Sequence, residues 1–110
     1  MTQKIESIEP RIPINREQIK AFCERWKITE FSLFGSVLTD DFGPDSDVDV
    51  LVTFETPALW SLRDLDRMED DLSMILGRRV DLSTRLSVEH MSNPIRRNSI
   101  LRGSRVIYAS

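Results

Sequence analysis

A chain of 110 residues has room for one compact domain and not for two. Its 40% hydrophobic and 30% charged residues suit a soluble globular domain and exclude a disordered one, and no apolar run approaches the about 20 residues of a membrane span. A net charge of −3 argues against general attraction to nucleic acid, so no direct nucleic-acid binding is expected.

The opening stretch MTQKIESIEPRIPIN carries acidic residues and no continuous apolar core, unlike a secretory or transit leader, so a cytoplasmic location is expected. Residues 1–14, with Pro10 and Pro13 and no clear period, read as an N-terminal arm, and residues 15–110 as the domain. Asn15 followed by Gln18 resembles a capping box, and Ile19, Phe22, Cys23 and Trp26 then recur at helical spacing, which predicts a helix over 16–27. Cys23, the single cysteine, sits in that apolar stripe and reads as a buried small hydrophobe rather than a nucleophile. Ile28 to Phe34, β-branched and aromatic, predicts a strand cut off by Gly35-Ser36. Val37 to Ser46 predicts a short helix or turn and then a loop, in which Asp40, Asp41 and Asp45 are solvated. Val48, Val50, Leu51 and Val52 predict a buried strand.

Thr56-Pro57 reads as the cap and first residue of the longest helix, which continues through Leu62, Leu65, Met68, Leu72, Ile75 and Leu76 until Gly77 stops it. Arg79 to Ser83 predicts a short strand, Pro94 opens a last helix after Asn93, and Val106-Ile107-Tyr108 forms a terminal strand or tail. The order αβ(α)βαβα predicts an α/β or α+β fold, a small mixed β-sheet flanked by helices.

The chemistry concentrates in Gly35-Ser36, ten intervening residues, and Asp47-Val48-Asp49. Residues two apart in a strand share a face, so Asp47 and Asp49 place two carboxylates side by side while Val48 and Val50 turn into the core. Adjacent carboxylates repel, and oxygen-only ligands at a sheet edge suit Mg²⁺. Gly35 permits close backbone approach to a ligand, and Ser36 adds a hydroxyl and an N–H, a combination suited to a triphosphate tail. If the first two strands are antiparallel neighbours, Gly35-Ser36 lies beside Asp47 and Asp49. The long helix makes the second and third strands parallel, so Asp81 arrives as a third carboxylate. Two metal ions on Asp47, Asp49 and Asp81 would serve in-line displacement at an α-phosphorus, with Asp81 orienting or deprotonating the acceptor hydroxyl.

Taken singly, these features are weak. An Asp-x-Asp alone is more often a solvated turn, and Arg78 and Arg79 read first as surface residues, Arg79 sharing a strand face with Asp81. His90 lies in a polar segment, and Trp26 and Trp60 fit the apolar faces of helices. Arg96, Arg97 and Arg102 form a basic group that is either a solvated face or a docking surface. It is the combination of Gly35, Ser36, Asp47, Asp49 and Asp81, in this order and spacing, that is specific.

At these residues the sequence resembles the DNA polymerase β-like nucleotidyltransferase superfamily, whose signature is Gly-Ser, a spacer, Asp-x-Asp and a later strand aspartate. The run FSLFGSVLTDDFGPDSDVDVLVTFE, with LGRRVDL after one helix, is more narrowly similar to the stand-alone minimal nucleotidyltransferases, across about residues 15–108. The resemblance implies the polymerase β-like palm fold, Mg²⁺ (two ions, with Mn²⁺ as a substitute) and ATP as substrate. It also implies a co-encoded HEPN-domain ribonuclease toxin as partner, silenced by adenylylation of a tyrosine. Many relatives carry Arg three residues after the motif Ser, where this chain has Thr39. Two alternatives stay open: a non-catalytic antitoxin acting by occlusion, and a small-molecule nucleotidyltransferase.

Overall fold

A computed structural model describes residues 10–55 and 60–110. Helix α1 (Arg16–Trp26) starts where the Asn15 side chain accepts the Gln18 N–H and ends on Lys27, which takes the left-handed conformation at φ 58°. Strand β1 (Ile28–Phe34) follows at once, then a 3₁₀ turn over Gly35–Leu38, then β2 (Val48–Phe54). Helix α2 (Leu62–Leu76) begins behind Ser61 in a capping box: the Ser61 hydroxyl accepts the Asp64 N–H, and the Asp64 carboxylate accepts the Ser61 N–H. The Thr56-Pro57 cap expected from the sequence lies outside the described residues; Ser61, extended at ψ 170°, marks the start instead. Gly77, at φ 70°, ends α2 as expected. Strand β3 (Val80–Thr84), a one-turn helix α3 (Arg85–Glu89), helix α4 (Pro94–Gly103) capped by Asn93, and strand β4 (Arg105–Ala109) complete the chain.

The four strands form one mixed sheet in the order β3-β2-β1-β4. Strand β1 runs antiparallel to both β2 and β4, and β2 runs parallel to β3, the consequence of the α2 crossover. The alternation in β1 and β2 divides the apolar residues between two faces. Phe31, Leu33, Val48, Val50 and Val52 meet Ile19, Phe22, Cys23 and Trp26 of α1 and Met68, Leu72 and Leu76 of α2 in the main core. Phe34 and Leu51 point the other way, against Val88 and Ile100 of the C-terminal helices. Cys23 is fully buried, and burial, with Glu24 second, pushes its thiol up to about 12, as a packing residue requires and a nucleophile does not. Trp26 packs edge-on against Trp60, ring centres 5.2 Å apart. Ile12, within the N-terminal arm, is buried against the same core.

Each sheet edge is covered at one point by a helix side chain. Glu69 of α2 accepts the Leu82 N–H of β3 at 2.9 Å, and Arg16 of α1 donates to the Ile107 carbonyl of β4 at 2.8 Å. The segment Val37–Ser46 is a turn and loop as expected, whereas α3 follows no periodic pattern in the sequence and is visible only in the structure. No described helix is long and apolar enough to cross a membrane.

Candidate active site

Strands β1, β2 and β3 bring the sequence motif together. In the β1/β2 ladder Phe34 pairs with Asp49, so the Gly35-Ser36 turn follows directly beside Asp49. In the β2/β3 ladder Asp49 pairs with Asp81, which sets these two carboxylates on neighbouring strands and one sheet face. Hydrogen bonding in β2 begins at Val48, whose N–H donates to the Arg79 carbonyl at 2.9 Å; Asp47 therefore stands just ahead of the strand rather than inside it, with Val48 wholly buried behind. Asp47 and Asp49 are half-buried, and Asp81 is exposed on the edge strand.

Gly35 adopts φ 79°, and a Cβ built there would stand 2.3 Å from an Oδ of Asp49. The positive φ calls for glycine, since an L side chain is strained there, and a Cβ would in addition force the Asp49 carboxylate to turn aside. The 3₁₀ turn after it is closed by Thr39, which donates its N–H (2.8 Å) and its hydroxyl (3.0 Å) to the Ser36 carbonyl and accepts the Asp41 N–H on the same oxygen (3.1 Å). Thr39 is thus a turn-closing residue here. Arg11 reaches the same segment, donating from Nε to the Thr39 carbonyl at 3.1 Å and pairing with Asp40.

Burial pushes the Asp49 carboxyl above the usual aspartate range, with the charges of Asp81 and then Asp47 adding to it, while Arg96 acts in the opposite direction. Asp49 therefore feels both neighbouring carboxylates, and Arg96 opposes them. Among the described residues no three His, Cys, Asp or Glu side chains form a ready-made metal-ligand set. The donor chemistry nonetheless fits a hard divalent cation: Asp49 and Asp81 are neighbours on adjacent strands, Asp47 acts on Asp49, the ligands would all be oxygens, and a positive ion there would relieve the repulsion on Asp49.

Beside Asp49 opens a cleft of about 570 Å³, walled by Gly35 and Asp49 on the sheet side and by the cap residue Asn93 with Ile95, Arg96 and Ser99 of α4 on the other. That volume lies within the range of small-ligand sites. Arg96, taken in the sequence as one of a basic group, belongs to this cleft. Arg102 lines a second groove over Gly35 and Thr39, and Arg97 instead donates to the Met91 carbonyl at 2.8 Å. No local signal separates the three arginines; only the docking of α4 against the sheet does. Among the remaining residues weighed in the sequence, His90 is exposed, its Nδ1 2.9 Å from the Leu86 carbonyl, and Asp41 and Asp45 are exposed in the loop.

A glycine turn over a strand-end carboxylate, with a second carboxylate in register on the next parallel strand, matches a known family along almost the whole chain: the nucleotidyltransferase domain profile aligns with residues 15–107. The chain belongs to the nucleotidyltransferase family. This nucleotidyltransferase is 34% identical over 85 residues to the protein adenylyltransferase MntA of Thermococcus cleftensis, covering 77% of the present chain and 81% of the relative. It is similar at 32% identity and a TM-score of 0.63 to a solved structure named as a candidate minimal nucleotidyltransferase, covering 82% of this chain and 86% of that one. A toxin–antitoxin complex crystallised with AMP-PNP shares the fold at a TM-score of 0.68 and 17% identity, over 88% of this nucleotidyltransferase and 75% of that chain. So does a complex of a tri-AMPylated HEPN toxin of Shewanella oneidensis with its MNT antitoxin, at 0.60 and 16%, over 86% and 70%.

Proposed function

We propose that this nucleotidyltransferase transfers AMP from ATP to a tyrosine hydroxyl of a partner HEPN ribonuclease and so acts as its antitoxin, with Asp47, Asp49 and Asp81 as the catalytic and metal-binding residues and Gly35 and Ser36 as phosphate ligands. The observation that carries the reading is the Asp49–Asp81 register beside the Gly35 turn. The adenylyltransferase relatives support AMP as the group transferred, and the toxin–antitoxin complexes of the same fold support the class of partner.

Bound Mg²⁺, two ions in the expected arrangement, would neutralise the triphosphate and favour ionisation of the attacking hydroxyl. The chain's own groups supply the rest. The Ser36 N–H and hydroxyl hold phosphate oxygens, and Gly35 lets them approach the backbone. Arg96, in the cleft and facing Asp49, offers a cation to the departing pyrophosphate. A carboxylate oxygen of Asp81 takes the phenolic proton. The tyrosine oxygen then bonds to the α-phosphorus, and the bond from that phosphorus to the bridging oxygen breaks in line. In this reading a docked protein supplies the hydroxyl and its orientation, the kind of assembly that the toxin–antitoxin complexes of the same fold support.

The test is mass spectrometry of the neighbouring gene's product after incubation with this chain, ATP and Mg²⁺, alongside its ribonuclease activity. The expected result is an adenylyl group on a partner tyrosine together with loss of RNA cleavage. Asp47→Asn and Asp49→Asn should lower the transfer rate at least about 100-fold, equivalent to about 2.7 kcal/mol of transition-state stabilisation. An inhibited but unmodified partner would replace this reading with occlusion, and label found only on a small molecule would replace it with small-molecule transfer.

A further inference from the structure

Two arginines follow Gly77 in the turn before β3, and the first is built into the loop that leads to Asp47. One terminal nitrogen of Arg78 donates to the carbonyl oxygens of Gly43 (2.6 Å), Ser46 (2.9 Å) and Pro44 (3.1 Å). Its guanidinium lies over the Phe42 ring, 4.3 Å from the centre. The acceptors are neutral carbonyls within five residues of Asp47, so Arg78 acts on backbone positions rather than on a carboxylate charge.

The same turn holds the other side of Asp47. Val48 donates its N–H to the Arg79 carbonyl at 2.9 Å, so Ser46 and Val48, the two chain neighbours of Asp47, are both fastened to consecutive residues of the turn before β3. That turn leads within three residues to Asp81, which is fixed opposite Asp49 by the ladder. Asp47 stands ahead of the ladder and depends on these neighbours for its position. The guanidinium offers a planar face to the Phe42 ring while one of its nitrogens reaches the carbonyls; an ammonium has donors enough for those carbonyls but no planar face to stack and no fixed fork to hold its direction.

We infer that Arg78 is a positioning residue: it clamps the Phe42–Ser46 loop to the start of β3 and thereby sets the placement of Asp47 relative to Asp49 and Asp81. The inference rests on Asp47 being a metal ligand, as proposed above. Residues that orient a ligand without touching the ion typically change metal affinity 10–100-fold when removed, roughly the range expected here.

The experiment is titration of the purified full chain with Mn²⁺, free ion followed by electron paramagnetic resonance, with a thermal melt of each variant at the same temperature and pH. Arg78→Met should raise the Mn²⁺ dissociation constant by about 10–100-fold in protein that is still folded, and Arg78→Lys should recover only part of the loss. A purely structural role would lower the melting temperature and leave the affinity of the folded fraction unchanged. Folded Arg78→Met and Arg78→Lys variants that bind Mn²⁺ as the parent does, while Asp47→Asn does not, overturn the inference and leave the proposed site standing. Wild-type affinity in Asp47→Asn overturns the metal reading of Asp47 and the inference with it. Where Arg78→Met melts below the assay temperature, Arg78→Lys decides by the same comparison.

Discussion

At Gly35 two independent constraints coincide, a backbone at φ 79° and an Asp49 oxygen 2.3 Å from where a Cβ would be. Gly35→Ala should therefore lower stability by about 1–3 kcal/mol through strain, measured by urea denaturation, and should also displace the Asp49 carboxylate. Loss of transfer beyond the unfolded fraction is the expected companion, and a variant with normal stability and rate would show the close approach to be unimportant. Asp49 carries a prediction of the opposite sign. Its carboxyl is raised by burial and by Asp81 and Asp47, so the ionised form works against folding. Relative to the charged group, a neutral side chain at this position stabilises the fold. The difference is absent below the ordinary aspartate range, where both states are protonated, and grows as pH rises through the raised folded value. Metal-free Asp49→Asn should thus melt higher than the parent at pH 7 while losing transfer. A lower melting temperature at pH 7 would contradict the proposed repulsion. Legibility divides at this scale too. The approach of Gly35 to Asp49 and of Asp49 to Asp81 could be anticipated from spacing, whereas the placement of Arg96 and Arg78 could not, because long side chains reach targets that no local period encodes.

Among the elements, α2 is the one whose ends are most clearly written in hydrogen bonds, and it carries the crossover that makes β2 and β3 parallel. Ser61→Ala removes the acceptor for the Asp64 N–H and should cost about 1 kcal/mol, seen as a fall of several degrees in melting temperature. Asp64 is held below the ordinary carboxylate range by the Ser61 backbone N–H, then by its hydroxyl. A lowered folded value means that this contribution is present above the unfolded pKa and disappears as pH falls through the folded one. Ser61→Ala keeps the backbone N–H and removes only the hydroxyl share, so that part of its deficit should shrink in acid; a deficit independent of pH would show that the Ser61 hydroxyl does not hold the Asp64 carboxylate. The sequence marked the end of α2 at Gly77, but its start was drawn at Thr56-Pro57, where a cap and a proline form an equally good local signal. Lys27 shows the same limit at the end of α1, since a left-handed lysine at φ 58° leaves no glycine to be seen. Helix α3, a single turn, is too short to develop a period.

Over the whole molecule, the sheet separates a core packed by α1 and α2 from a smaller cluster under α3 and α4, and the acidic edge and the cleft lie on the side of the smaller one. The sequence by itself determined the α/β class, the parallel pairing of the second and third strands, and the order and spacing of the motif, because apolar periodicity, turn residues and motif spacing are local properties of the chain; the antiparallel pairing of the first two strands, a condition in the sequence, is supplied by the ladder. Tertiary structure alone decided that β4 returns to the outer side of β1 and that Asp49 stands level with Asp81. It also decided that Arg96 shares a cleft with Asp49 while Arg97 turns to the Met91 carbonyl, and that Arg78 grips the loop before Asp47. Each of these depends on the register and docking of segments far apart in the chain, which are set by how the two faces of the sheet are filled and not by any residue's near neighbours.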